Sequence, residues 1–246
     1  MKESDRRRRI LQRLTRMESA PKRQAPISTG FGALDEVLGG GLPRGSIVEW
    51  FGPAGSGKTT LAIQTIAHLQ RAGMGAAWID ADRTFSPAYA SSLGMATERF
   101  PLAQPASAEE ALEIARTLAA SGAVDLIVID SAAALVPRLE VQAGIGGSVP
   151  GLQSRVFGHE LQKLRAIVRL GAACVLFLNQ MRNRASGEGE TSAGGPPLKL
   201  FAAIRLVLVP VVGSRVRLRA LKNKAAEGVA SGEMERRKDL GFVESP

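Results

Sequence analysis

The stretch from residue 52 to residue 59 constrains the fold most, because it joins a Gly-rich loop to a Lys-Thr pair. Its sequence is Gly-Pro-Ala-Gly-Ser-Gly-Lys-Thr, and it lies between the apolar run Ile47–Phe51 and a predicted helix from Thr59 to Arg71. Strand, turn and helix in this order predict a phosphate-binding loop, or P-loop, whose glycines let the backbone wrap around a triphosphate. Its N–H groups and the helix N-terminus would face the negative charge. An ordinary Gly-rich turn is the alternative.

The residue types of the loop indicate how it would hold a nucleotide. Lys58 is expected to reach the terminal phosphates, and the Thr59 hydroxyl to hold Mg²⁺. The predicted nucleotide-binding residues are Gly52, Pro53, Ala54, Gly55, Ser56, Gly57, Lys58, Thr59 and Thr60.

Composition narrows the class of protein. With 246 residues, 45% of them hydrophobic, the chain can bury a full core. No apolar run approaches the length of a membrane span, and the N-terminus lacks a signal-peptide core, so we expect a cytoplasmic protein without a membrane partner. The single cysteine, Cys174, lies in an apolar run and is expected to be a buried thiol.

The net charge of +9 is concentrated at the N-terminus, where residues 1–23 hold nine Lys or Arg against three acidic residues. The run Arg6–Arg9 predicts either a nucleic-acid-binding arm or a solvated helix face. Three parts are expected: a basic N-terminal helix and linker (1–26), an ATPase core (27–224) and a polar C-terminal tail (225–246).

Strands and helices alternate through the predicted core, which is typical of a parallel sheet with helices on both faces. Helices are predicted after Ser86-Pro87, after the capping box that begins at Ser107, and from Gly151 to Leu170. The predicted strands are Ile47–Phe51, Ala76–Asp80, Leu126–Asp130, Cys174–Asn179, Ile204–Val209 and Arg215–Leu221. Two Gly-rich loops, Gln142–Gly151 and Arg184–Pro197, follow strands on the edge where ligands bind in α/β sheets.

Three of these strands end in polar residues that suit a nucleotide site. Asp130 closes a buried strand and suits the carboxylate that positions Mg²⁺. Asp80 or Asp82 could orient the attacking water, or could cap a turn. Gln180 could touch the γ-phosphate, or could be a plain strand-terminal cap.

From Ile27 to about Lys224 the chain resembles the bacterial RecA recombinase family. The P-loop is shared by many families, whereas Asn-Gln-x-Arg, a Gly-Gly loop and Lys-Asn-Lys are more specific and disfavour a hexameric helicase. The matching stretches are Ile27-Ser-Thr-Gly, the P-loop, Ile79-Asp-Ala, Pro87-x-Tyr89-Ala, Glu110-Ala-Leu-Glu-Ile, Ser121-Gly-Ala-Val-Asp125, Val128-Ile-Asp-Ser131, Asn179-Gln-Met-Arg182, Thr191-x-x-Gly-Gly195 and Lys222-Asn-Lys224.

The resemblance implies a RecA-like P-loop ATPase core: a twisted, mainly parallel sheet with helices on both faces and a short N-terminal helix. As a departure from the family, no C-terminal domain is expected. It implies ATP and Mg²⁺ as cofactors, with Thr59 and Asp130 at the metal and Tyr89 packed on the adenine. Gln180 would sense the γ-phosphate. Lys222 and Lys224 would reach a neighbouring protomer's ATP, although by themselves they could lie on a solvated hairpin.

The resemblance also implies single-stranded DNA binding through the two Gly-rich loops. The residues that would contact DNA are Arg155, Arg182, Arg184, Gly194 and Gly195. Pro150 replaces an apolar wedge in the first loop, and the second loop has lost its aromatic wedge and carries two glutamates. Because such binding needs stacking or wedging groups as well as positive charge, we expect it to be weak.

Other departures concern catalysis and assembly. Asp82 stands where the family has a water-activating Glu, so hydrolysis is expected to be slow. Leu200 replaces an interface Phe, and the strand that clasps the next protomer is missing, which puts filament formation in doubt.

Two functions fit these features. The first is a RecA-like accessory protein of DNA repair that docks to another repair protein, such as RecA or a translesion polymerase subunit, as in the ImuA proteins. The alternative is a DNA-dependent ATPase of homologous recombination.

Overall fold

A single sheet organises the computed structural model, which describes residues 24–143, 147, 149–183 and 190–244. The helices are α1 (Gly32–Leu38), α2 (Lys58–Arg71), α3 (Pro87–Ser92), α4 (Ala108–Ser121), α5 (Arg138–Ala143), α6 (Leu152–Leu170) and α7 (Pro196–Phe201). The strands are β1 (Ile47–Gly52), β2 (Ala76–Asp80), β3 (Leu102–Ala103), β4 (Leu126–Asp130), β5 (Cys174–Asn183), β6 (Glu190–Ser192), β7 (Ile204–Pro210), β8 (Arg215–Asn223), β9 (Ser231–Arg237) and β10 (Gly241–Val243).

The strand order is β10-β9-β8-β7-β1-β5-β4-β2-β3, with β6 paired to β5. Neighbouring strands are parallel along the part of the sheet that runs β7-β1-β5-β4-β2-β3. They are antiparallel in the pairs β7–β8, β8–β9, β9–β10 and β5–β6. The predicted mainly parallel sheet is therefore confirmed, with an antiparallel extension on one side.

Helices cover both faces of the parallel part, as predicted. Successive residues of a strand point to opposite faces, so Val128 belongs to the same core cluster as the buried residues of α1 and α2, while Ile129 belongs to the cluster of α4 and α6. This is why the central strands are apolar throughout rather than alternating. No helix in the described part of the chain is both long enough and apolar enough to cross a membrane.

Local signals predicted several helix ends correctly. The Ser107 hydroxyl accepts a hydrogen bond from the Glu110 N–H at 3.3 Å, and Gly122 ends α4 in the left-handed conformation. Ser86 caps α3 through the Tyr89 N–H, and Pro87 is the first residue of that helix.

Cys174 is buried, as predicted, and its burial raises the pKa of the thiol to about 12.

The prediction that the chain ends in a polar tail from residue 225 is wrong. Residues 231–237 and 241–243 form β9 and β10, which extend the sheet beyond β8. Their apolar anchors, Met234 and Phe242, are 1% and 2% exposed, while Glu233 pairs with Arg217 on the outer face. With only one large buried apolar side chain in each strand, the segment had too little hydrophobic periodicity to be recognised.

Candidate nucleotide-binding site

Strand register brings the predicted site residues to one edge of the sheet. Gly52 at the end of β1 lies opposite Gln180 of β5, while Asp130 at the end of β4 lies between Asp80 of β2 and Leu178 of β5. Because these strands are parallel, their carboxyl ends meet at the same edge. The P-loop, the carboxylates and the amide predicted from the sequence therefore lie close together.

The P-loop backbone requires glycine at two positions. A Cβ on Gly52 would lie 2.2 Å from the Leu208 carbonyl oxygen, so the loop starts in close contact with β7. Gly57 has φ +89°, and a Cβ there would lie 2.7 Å from the Phe242 ring. Both positions need a residue without a side chain, and Gly57 also needs its conformational freedom.

Lys58 folds back onto the loop. Its Nζ donates to the carbonyl oxygens of Gly52 and Pro53 at 3.1 and 2.9 Å, and to the Ser56 hydroxyl at 3.2 Å. Burial lowers the pKa of the ammonium, and the nearby Asp130 partly opposes that effect. The amine is thus held beside the loop by three neutral oxygens, which an anionic phosphate could replace.

Thr59 and Asp130 form the pair predicted for Mg²⁺. The Thr59 hydroxyl donates to Asp130 Oδ2 at 3.0 Å. Burial raises the pKa of Asp130 to about 6; the charges of Asp82 and Asp80 add to this, while the Thr59 hydrogen bond and Lys58 oppose it. A hydroxyl next to a desolvated carboxylate is a hard oxygen pair that suits Mg²⁺ and phosphate oxygens together.

A second feature of the metal region is the small number of protein ligands. Within the described ranges, no group of three or more His, Cys, Asp or Glu side chains could hold a metal ion.

The surroundings of Asp80, the last residue of β2, and of Asp82, two residues later, are different. Asp80 is fully buried and accepts from the N–H groups of Thr84 and Phe85 and from Gln104 Nε2, so it caps the turn after β2. Asp82 makes no such cap. It is half-buried, and its backbone N–H donates to the Asp130 carbonyl at 3.2 Å. Of the two, Asp82 is therefore the carboxylate available to a water.

Tyr89 of α3 contacts the start of α2. Its hydroxyl and the Thr60 hydroxyl are 2.8 Å apart, and 42% of its surface is exposed. The hydrogen bond anchors the ring at the start of α2 and leaves a flat aromatic surface for stacking.

A buried polar network next to Gln180 was not predicted from the sequence. Asn179 Nδ2 donates to Glu49 Oε1 at 2.9 Å, and Arg205 Nε donates to Glu49 Oε2 at 2.6 Å. Asn179 Nδ2 also donates to the Ala193 carbonyl, and the Ala193 N–H donates to the Gln180 carbonyl. A charged residue inside the apolar strand Ile-Val-Glu-Trp-Phe was the available signal, because a buried carboxylate needs a partner.

Lys222 and Lys224 lie away from the P-loop of their own chain. Asn223 between them is opposite Ile204, which is itself opposite Val48, four residues before Gly52. At about 3.3 Å per residue they are roughly 13 Å from the loop along the sheet. Lys222 Nζ donates to the Lys199 and Leu200 carbonyls at the end of α7, and its pKa is lowered, chiefly by burial.

The end of the second Gly-rich loop lies against α6, the helix that follows the first loop. A Cβ on Gly195 would lie 3.1 Å from the Ser154 hydroxyl in the first turn of α6, beside the exposed Arg155. Arg182 is exposed near the end of β5. Gly194 and Gly195 both have positive φ, at +83° and +76°. Arg184 lies outside the described residues.

The sequence of this chain is similar to those of known proteins. The family model for the RecA N-terminal domain matches residues 11–236. The chain belongs to the RecA family. It is 43% identical over 235 residues to Protein RecA of Acidothermus cellulolyticus, covering 89% of this chain and 68% of that protein. It is 44% identical over 213 residues to Protein RecA of Caulobacter vibrioides, covering 81% of this chain and 60% of that protein.

A RecA-like fold is also found among solved structures. The crystal structure of the RadB recombinase superposes with a TM-score of 0.70 at 23% identity, covering 89% of this chain and all of that one. This likeness shows the fold. The chain spans about 60 to 68% of the length of the two RecA relatives described above.

Proposed function

We propose that this RecA-family chain binds ATP with Mg²⁺ and works in DNA repair or recombination. The observation that carries the proposal is the hydrogen bond between Thr59 and Asp130 beside a complete P-loop. A carboxylate whose pKa is raised to about 6 by burial destabilises the folded protein when it is ionised, and such groups concentrate at functional sites. A cation bound there would compensate that cost.

In this proposal each side chain has one task. The P-loop N–H groups and Lys58 bind the phosphates, and Thr59 and Asp130 hold Mg²⁺, which neutralises phosphate charge when bound. Asp82 orients water next to Asp130. Gln180, whose backbone is tied to Ala193, reports the γ-phosphate to the second Gly-rich loop. Tyr89 supports the adenine.

Two finer functions differ in how ATP is used. The accessory function, in translesion synthesis for example, rests on Asp82 in place of Glu and on DNA loops without wedging side chains. ATP would then act mainly as a conformational ligand, and the exposed surface would dock to another repair protein.

The recombinase function rests on the 43 to 45% identity to RecA proteins and has at least as much support. It requires DNA-stimulated hydrolysis and stacking of protomers, with Lys222 and Lys224 acting in trans. Single-stranded DNA would lie along Arg155, Arg182, Arg184 and the Gly194-Gly195 turn. In this function the nine Lys and Arg of residues 1–23, a stretch that lies outside the described residues, would add to the binding of DNA phosphates.

One experiment separates these functions. ATP hydrolysis and light scattering of the full chain are measured with and without single-stranded DNA, at 50 and 200 mM salt. The accessory function predicts slow turnover that DNA does not stimulate, and no large assemblies. DNA-stimulated turnover with strong scattering would establish the recombinase instead. A chain that bound no ATP, with Lys58→Ala as the matched negative control, would contradict both.

A further inference from the structure

The C-terminal hairpin formed by β9 and β10 packs against the nucleotide-binding loop. Gln64 of α2 holds β10 by its backbone: its Nε2 donates to the Leu240 and Phe242 carbonyls, and its Oε1 accepts from the Phe242 N–H at 2.8 Å. The Phe242 ring lies directly over Gly57. The helix that follows the P-loop is therefore fastened to a segment more than 170 residues later in the chain.

Arg236 of β9 reaches the loop itself. Its Nη1 donates to the Gly55 carbonyl at 2.5 Å, and its Cδ would lie 3.2 Å from a Cβ on Gly57. The strand that carries it is anchored, because the Arg236 N–H donates to the Ser214 carbonyl at 2.7 Å. The guanidinium thus approaches the P-loop from a fixed backbone.

Gly55 is the part of the loop that most needs such support. It has φ +73°, and a Cβ there would meet no atom within 4 Å, so side-chain packing does not restrain this position. A peptide unit is planar, so a bond to the Gly55 carbonyl also fixes the direction of the Ser56 N–H. That N–H at present donates to the Pro53 carbonyl at 3.3 Å, within the loop.

We infer that Arg236 is a positioning residue of the nucleotide site, which holds the P-loop in its binding conformation through the Gly55 carbonyl. The inference rests on the proposed binding of ATP at this loop. A loop that is ordered before the ligand arrives loses less conformational entropy on binding, so the contact raises affinity. The hairpin of β9 and β10 therefore contributes to the affinity for ATP.

The chain contains a matched control on the same strand. Arg237 is exposed, and its guanidinium bonds to Glu235 rather than to the loop. Arg236→Ala and Arg237→Ala remove the same charge, so a long-range electrostatic effect would appear in both. Arg236→Lys keeps a charged donor at the first position.

The test measures the Kd of a fluorescent ATP analogue and the hydrogen exchange of residues 52–60 in the full-length variants. We expect Arg236→Ala to weaken binding about tenfold, which is the loss of one charge-assisted hydrogen bond, and to speed exchange in the loop. Arg236→Lys should recover most of the affinity, whereas Arg237→Ala should match the wild type. If Arg236→Ala folds poorly, Arg236→Gln carries the same expectation.

Three results distinguish failure of the inference from failure of the proposed function. Equal weakening in both alanine variants would reduce the effect to net charge and overturn the inference. Wild-type affinity and exchange in Arg236→Ala would also overturn it. If Lys58→Ala lost ATP binding in the same experiment, the proposed function would still stand. If the wild type bound no nucleotide, the proposed function would fail, and the exchange rates alone would decide whether Arg236 holds the loop.

Discussion

At the residue scale, the site depends on charges that are removed from water. Asp130 is 7% exposed and Glu49 is fully buried, yet their environments differ. Glu49 has a strong cationic partner, because Arg205 donates to it at 2.6 Å and also lies 4.9 Å from the Phe51 ring centroid. Asp130 accepts a hydrogen bond from the Thr59 hydroxyl, while the ammonium of Lys58 acts on it through its charge and donates its hydrogen bonds to the P-loop. The first carboxylate supports the structure, and the second is left able to accept a cation.

The raised pKa of Asp130 predicts an unusual pH dependence of stability. Its folded pKa of about 6 lies above the ordinary 3.8, so its favourable contribution is complete below pH 3.8 and lost as the pH rises through 6. Asp130→Asn should therefore stabilise the nucleotide-free protein by about 1–3 kcal/mol at pH 7.5, and by less at pH 4.5.

Urea unfolding at the two pH values checks this prediction, with the exposed Asp239→Asn as the control. A gain in stability that is the same at both pH values would contradict it. The same variant should lose Mg²⁺-dependent ATP binding, because an amide cannot supply the negative charge of the carboxylate.

Asp82 carries the second residue-scale prediction. If it orients water, Asp82→Glu should raise ATP turnover by about tenfold or more, because the longer side chain corrects a displacement of about 1 Å. ATP affinity should stay unchanged, since the carboxylate does not hold the nucleotide. Steady-state hydrolysis checks this, and Asp82→Asn should show still lower turnover than the wild type. Unchanged or slower hydrolysis in Asp82→Glu would remove Asp82 from the mechanism.

At the element scale, the hairpin of β9 and β10 completes the side of the sheet next to the P-loop. Met234 and Phe242 are buried in the same core cluster as Leu61 and Ile66 of α2. Hydrophobic burial, rather than the exposed ion pairs of Glu233 and Glu235, therefore anchors the hairpin, because surface pairs contribute little.

Phe242→Ala should lower the free energy of unfolding by about 3 kcal/mol, since it leaves a cavity over Gly57 and α2. Leu240→Ala, two residues away and 57% exposed, should cost far less. Denaturant midpoints of the two variants check this prediction. Similar small losses in both would mean that the hairpin does not pack on the core.

At the scale of the whole molecule, the fold places its functional groups at two separate regions. The P-loop, Asp130 and Gln180 lie at the carboxyl edge of the parallel strands, whereas Lys222 and Lys224 lie roughly 13 Å from the loop along the sheet. Those lysines therefore lie outside the nucleotide site of their own chain. The role in trans that the recombinase function gives them requires stacked protomers, which is why light scattering is the decisive measurement for that function.

The sequence predicted what depends on local pattern. The apolar strands β1, β2 and β4, the caps at Ser86 and Ser107, and the P-loop each follow from residues within one short window. Asp80 and Asp82 could not be told apart in this way. Their roles depend on which backbone N–H groups surround each carboxylate, and those come from a turn folded against Gln104.

The sequence by itself determined an α/β core with a P-loop, because hydrophobic periodicity and the Gly-Lys-Thr spacing act over a few residues. The likeness to RecA came from its longer motifs, such as Asn179-Gln-Met-Arg182 and Lys222-Asn-Lys224. Only the tertiary structure decided that Glu49 and Arg205 pair behind Gln180, and that Arg236 and Phe242 close over the loop. These contacts join residues more than 150 positions apart. Their partners are chosen by sheet order and twist, which no local pattern encodes.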